Sequence, residues 1–121
     1  MRPTILIVED DPGFREAMSL ALETAGYATC VAGTMEEAIE KSKGSIPLIA
    51  FVDVMLGPEP VRHAELDALK RFAPGLRIVL ISGYLWLGSP IQGRYPDVDA
   101  FLRKPFRLDA LLDIVKELLP N

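Results

Sequence analysis

Residues 4–11 read TILIVEDD, an unbroken apolar run from Ile5 to Val8 that ends abruptly in three carboxylates, Glu9, Asp10 and Asp11. A strand with one wet face alternates apolar and polar residues. A run without alternation belongs to a strand covered on both faces, as in a parallel sheet, so Thr4 to Glu9 is predicted as such a strand. Pro12 follows Asp11, the order of a helix cap and first helical residue. Phe14, Met18, Ala21, Leu22 and Ala25 then fall at helical spacing, and Gly26 closes the helix as a residue that tolerates positive φ.

The same strand and helix alternation continues outward from that unit. A short strand is predicted at Ala28 to Ala32, then a helix beginning at Thr34, which has capping-box spacing with Glu37. Leu48 to Val54 reads as the third strand, with Ala64, Leu66, Leu69 and Phe72 as the apolar side of the helix after it. Leu76 to Ile81 and Val98 to Leu102 supply two more strands. Leu108, Leu111, Leu112, Val115 and Leu119 mark a final helix before Pro120. Between them, Gly83 to Pro96 contains Gly83, Gly88, Gly93, Pro90 and Pro96, so the fourth helix is expected to be short, distorted or absent. The fold class is α/β with a parallel sheet.

With 121 residues, half of them hydrophobic and a quarter charged, the chain has the size and composition of one globular domain over residues 1–121. Its apolar runs are too short for a membrane span and its first residues lack a signal-peptide core, so no membrane association and a cytoplasmic location are expected. A single cysteine, Cys30, permits no internal disulfide and reads as core filler. The formal net charge of −4 argues against direct nucleic-acid binding.

In an open parallel sheet, ligands bind beyond the carboxyl ends of the strands. The polar residues at those ends are Glu9, Asp10 and Asp11 after the first strand, Asp53 at the third, Ser82 after the fourth and Lys104 after the fifth. Crowded carboxylates repel one another unless a cation lies among them. Oxygen ligands without His or Cys suit a hard ion, and so few carboxylates suit Mg2+, which keeps several waters, better than a Ca2+ cage. Mg2+ beside a carboxylate suggests phosphoryl chemistry, with Asp53 as a nucleophile that forms an acyl phosphate. Glu9, Asp10 and the Met55 backbone carbonyl would complete the metal site with Asp53, while Lys104 and Ser82 would bind phosphoryl oxygens. Asp11 is assigned mainly to capping, and His63, with no second histidine or cysteine nearby, to the surface. Trp86 is either core packing or part of a partner-binding patch.

ILIVEDD (5–11), FVDVML (51–56), VLISGY (79–84) and FLRKPF (101–106), in this order and spacing, resemble the response-regulator receiver family over essentially the whole chain. The resemblance implies a doubly wound, flavodoxin-like or CheY-like sheet of order 2-1-3-4-5. It implies Asp53 as phosphoacceptor, Glu9 and Asp10 as the acidic pair, Ser82 as the Ser/Thr switch, Phe101 as the aromatic switch, Lys104 as the family lysine and a cis Lys104–Pro105 bond. Receivers often have proline four residues and glycine eight residues after the acceptor. Here Gly57 and Val61 occupy those positions, with Pro58 and Pro60 between, so a reshaped loop is expected.

The phosphate donor implied is a histidine kinase or histidine phosphotransfer protein, and the output is a partner protein or domain that the sequence does not name. A homodimer stays open. The sequence looks most like receivers attached to hybrid histidine kinases or found as stand-alone regulators, catalysing only their own phosphorylation and dephosphorylation. Two rivals are a pseudo-receiver, which would lack the acidic pair, Asp53 or Lys104, and a small phosphatase or nucleotide-binding protein. The latter would have a glycine-rich phosphate loop after the first strand or a DxD beginning at the nucleophile, and neither is present.

Overall fold

The computed structural model describes residues 3–83 and 91–119. Its elements run β1 Thr4–Val8, α1 Pro12–Thr24, β2 Ala28–Ala32, α2 Met35–Gly44, β3 Ile49–Asp53, α3 His63–Phe72, β4 Arg77–Ser82, α4 Ile91–Arg94, β5 Ala100–Arg103 and α5 Leu108–Leu118. The strands form one sheet of order β2-β1-β3-β4-β5, and every pairing is parallel. This is the expected architecture, with strand ends differing by one or two residues from those read in the sequence.

The absence of alternation in β1 and β3 has a direct structural cause, because successive side chains enter two different cores. Leu6, Val8, Ala50, Val52, Ile78 and Leu80 face α2 and α3, where they meet Met35, Ala38, Leu66 and Leu69. Ile5, Ile7, Ile49, Phe51, Val79 and Ile81 face α1 and α5, where they meet Met18, Leu22, Leu111 and Val115. Each of these side chains larger than alanine, once removed from water, contributes about 1.5–3 kcal/mol before the entropy of ordering is subtracted. Cys30 packs partly buried against the first of these cores.

Local signals fix where the helices start and stop. Asp11 caps α1, its Oδ1 accepting from the Gly13 and Phe14 N–H groups at 3.0 and 3.3 Å. Gly26, at φ +103°, supplies the turn after it. Thr34 caps α2 through the Glu37 N–H at 3.1 Å, but the Glu37 carboxylate reaches the Gly33 N–H at 2.7 Å, one residue earlier than a capping box requires. At α3, Glu65 accepts from the Arg62 N–H at 2.9 Å.

Four residues read as facing the core need correction: Ala25, at the C-cap of α1, and Leu108, the first residue of α5, are exposed. Ala64 is exposed, and so is Phe72, whose ring lies under the Lys43 ammonium at 5.1 Å. They sit on the rim of α3, since the buried stripe of so short a helix is covered by Leu66 and Leu69 alone. Among the described residues of the glycine- and proline-rich segment there is one helical turn, α4. Residues 84–90 of that segment, with Trp86, lie outside the described residues. Among the described residues no helix is long and apolar enough to cross a membrane.

Candidate functional site

The parallel arrangement brings the carboxyl ends of β1, β3, β4 and β5 to one edge of the sheet, and the polar residues singled out there meet. Asp53 is the last residue of β3, at 7% exposure, and Glu9 follows β1 at 1%. One carboxylate oxygen from each of Glu9, Asp10 and Asp53 lies within 4.8 Å of the other two. The Lys104 ammonium bridges two of them, 2.8 Å from Asp53 Oδ2 and 3.2 and 3.4 Å from the two oxygens of Glu9. Asp10 is exposed, at the mouth of the cluster, whereas Asp11 turns to the cap of α1.

Backbone groups hold these side chains in place. The Met55 N–H donates to Asp53 Oδ1 at 2.9 Å, and the Asp11 N–H donates to Glu9 Oε1 at 3.3 Å. Arg15 Nη1 donates to the Glu9 carbonyl at 2.8 Å, a clamp on the loop after β1 that the sequence does not announce. Ser82 ends β4 with 6% exposure, and its carbonyl accepts from the Lys104 N–H at 2.7 Å. Among the described residues no partner takes its hydroxyl. Phe101 lies partly buried in β5 against the core on the α2 and α3 face, and the Lys104–Pro105 bond is cis.

The electrostatics follow from burial and crowding. Burial, then the hydrogen bond and negative charge of Asp53, push the Glu9 carboxyl up from 4.5 to about 7, against the opposing pull of Lys104. Burial alone would lower the pKa of Lys104. The hydrogen bond and charge of Asp53, with the charge and hydrogen bond of Glu9, outweigh that cost together and raise it. Three carboxyl side chains and one ammonium therefore share a pocket in which negative charge is crowded. A donor set of carboxylate oxygens at this spacing fits one hard divalent cation.

The loop from Val54 to Arg62 follows Asp53 directly. The Val61 N–H closes it onto the Val54 carbonyl at 2.7 Å, and the buried Tyr95 phenol donates to the Val61 carbonyl at 2.7 Å. The Tyr95 ring is stacked on His63, with centroids 5.2 Å apart. His63 itself is exposed, as expected. Beside this loop, against the N-terminal turn of α2, is an open cavity of about 380 Å³ lined by Met35, Leu56, Pro58, Pro60 and Val61 among others. The sequence pointed to a reshaped loop but not to Tyr95 as its anchor.

The model of the response regulator receiver domain family matches residues 5–116 of this chain. The chain is a response-regulator receiver domain. The receiver is 33% identical over 119 residues to the response regulator Rre1 of Synechocystis, covering 96% of this chain and 51% of that protein. It is also 33% identical to the sensor kinase CckA of Brucella abortus, covering 96% of this chain and 12% of the kinase. The receiver thus spans about half the length of the first relative, and a small part of the second. Among solved structures, it resembles a CheY-like receiver domain protein from Methanospirillum hungatei, with a TM-score of 0.82, 26% identity and coverage of 97% and 93% of the two chains. The receiver domain of NtrX from Brucella abortus superposes equally well, at a TM-score of 0.82, 27% identity and coverage of 95% and 97%.

Proposed function

We propose that this receiver is a phosphoacceptor switch in which Asp53 takes a phosphoryl group from a phosphohistidine on a histidine kinase or histidine phosphotransfer protein. The observation that carries the reading is the placing of Asp53 Oδ2 at 2.8 Å from Lys104 in a pocket where one carboxylate oxygen from each of Asp53, Glu9 and Asp10 lies within 4.8 Å of the other two. Asp53 attacks phosphorus, the bond from phosphorus to the imidazole nitrogen breaks, and that nitrogen leaves with the electron pair. An acyl phosphate remains on Asp53.

Glu9, Asp10 and Asp53, with the Met55 carbonyl, are the residues that would hold Mg2+. When bound, the ion neutralises charge on the phosphoryl oxygens. The protein's own part is positioning. The Met55 N–H fixes one oxygen of Asp53, leaving Oδ2 on the side where Lys104 stands. Lys104 and the Ser82 hydroxyl bind phosphoryl oxygens in the transition state and in the product. Ser82 then shifts toward the new group and Phe101 turns in the space behind it, altering the surface that a partner reads. Turnover is confined to the domain's own phosphorylation and slow hydrolysis of the acyl phosphate, in the cytoplasm, with residues 1–121 acting as one unit.

Incubation with acetyl phosphate and Mg2+ followed by intact mass tests the proposal. The native chain gains one phosphate, and Asp53→Asn gains none. Equal labelling of both would refute it.

A further inference from the structure

We propose that Phe14 is a positioning residue for Lys104: the face of its ring holds the ammonium that contacts the acceptor carboxylate, with Phe106 bracing the ring edge-to-face. The inference rests on the phosphoacceptor reading and adds to it a residue with no polar atom in its side chain.

Lys104 leaves the end of β5 on a flexible four-carbon stem, and its side chain is 31% exposed. Two carboxylates attract it from one side, but a long side chain that open to water samples many rotamers unless its other side is also bounded. Phe14 supplies that boundary. The Lys104 Nζ stands 4.5 Å from the centroid of the Phe14 ring, within cation–π range. The Phe106 ring meets Phe14 at 5.4 Å between centroids and 68° between planes, the edge-to-face arrangement that aromatic pairs favour.

Both ends of this arrangement are anchored. Phe14 sits in the first turn of α1, and its own N–H is one of the two that Asp11 caps. Phe106 lies two residues beyond Lys104, so the lysine and the brace for its aromatic partner travel on one loop. Phe14 therefore joins α1 to the loop after β5, beside the ammonium that contacts the acceptor.

The chemistry explains why an aromatic ring suits this place better than an aliphatic side chain or a third carboxylate. A ring face attracts the ammonium without offering an oxygen, so it leaves the N–H donors of Lys104 directed at Asp53 and at whatever oxygens join it. Another carboxylate would draw the ammonium away from the acceptor. A leucine would cover the same stem but lacks the negative ring face.

The test uses the full chain with Phe14→Leu and Phe14→Tyr. In the native protein, the ε-methylene proton resonance of Lys104 is displaced upfield by the ring, in Phe14→Tyr it keeps that displacement, and in Phe14→Leu it loses it. Labelling by acetyl phosphate in Mg2+ slows about two- to fivefold in Phe14→Leu, the usual worth of such a contact at a partly exposed site, and recovers in Phe14→Tyr. In a Lys104→Gln background, Phe14→Leu produces no further slowing. An unchanged Lys104 resonance in Phe14→Leu, or the same loss of rate with and without the lysine, overturns the proposal. Failure of the phosphoacceptor reading is seen separately, in equal labelling of Asp53→Asn, and the resonance still decides the contact in that event.

Discussion

Around Asp53, the groups that come from the ends of β1 and β5 are organised by charge: Lys104 reaches Asp53 and Glu9 at 2.8 and 3.2 Å, with its ammonium over the ring of Phe14. The loop from Val54 to Arg62, which follows Asp53 in the chain, is organised by neutral hydrogen bonds, Val61 to Val54 and Tyr95 to Val61, each at 2.7 Å. The first arrangement consists of groups that respond to a proton, a cation or an anion. The second is a buried tie that responds to none of these in the neutral range. One strand end thus separates a chemically responsive wall from a mechanical one, and changes on the two sides should have separable readouts.

The largest effect is expected from removing the cation of the charged wall. Lys104→Gln slows acetyl phosphate labelling about a hundredfold, the scale for loss of one donor to a transition-state oxyanion. It also tightens Mg2+ binding, because the ammonium no longer competes for the same oxygens. Calorimetry showing weaker Mg2+ binding would contradict that competition.

On the neutral wall, Tyr95→Phe keeps the ring on His63 and leaves the Val61 carbonyl without its phenol donor. A buried acceptor deprived of its partner costs about 1–3 kcal/mol. The urea midpoint should fall with the slope unchanged, while the initial rate of labelling stays within about twofold of native, less than one step of 1.4 kcal/mol would give. A large loss of rate at unchanged stability would mean that the tie belongs to the chemistry and that the contrast between the two sides is false.

The proton sharpens the same contrast. Glu9 has its carboxyl raised from 4.5 to about 7, so the folded chain holds a proton across that interval which the unfolded chain has released. Its stabilising contribution in the metal-free protein is complete below pH 4.5 and is lost as pH rises through about 7. Mg2+ requires the carboxylate form, so its affinity moves the other way, about tenfold weaker at pH 6 than at pH 8. A flat affinity across that range in a calorimetric titration would show that Glu9 ionises as an ordinary carboxylate.

The smallest effect concerns the third acidic residue. Asp11→Ala removes the cap of α1 and costs about 1 kcal/mol of stability in urea unfolding, with Mg2+ affinity unchanged. A drop in affinity would place Asp11 in the metal cluster instead of Asp10.

The two walls were also unequally legible in the sequence. The sheet could be read because strands buried on both faces leave unbroken runs such as Ile5 to Val8, and helices leave a period. The charged wall could be read because strand ends in a parallel sheet converge, so Glu9, Asp10, Asp53, Ser82 and Lys104 needed only correct strand positions to be brought together. The neutral wall could not. Nothing about Tyr95 between Arg94 and Pro96 indicates that its phenol reaches a carbonyl 34 residues earlier, because a side-chain to backbone contact leaves no mark on the acceptor's residue type. Phe14 was legible as an apolar residue of α1 but not as the neighbour of a cation, and Arg15 as a charge but not as a clamp on Glu9. Ala64 and Phe72 were misread for a related reason. Spacing places a residue on a helical stripe, but the width of the covered area depends on what lies opposite.

The hydrogen bond of 2.7 Å from the Lys104 N–H to the Ser82 carbonyl fastens the tips of β4 and β5 together at the point where the proposed function places two grips for an anion. Hydroxyl and ammonium are thereby mounted on a single rung, with a span set by peptide geometry and only trimmed by side-chain rotation. Any pull that one grip feels is transmitted to the other strand without crossing the core, and an anion too wide for the span has to bend the rung before both grips can close on it.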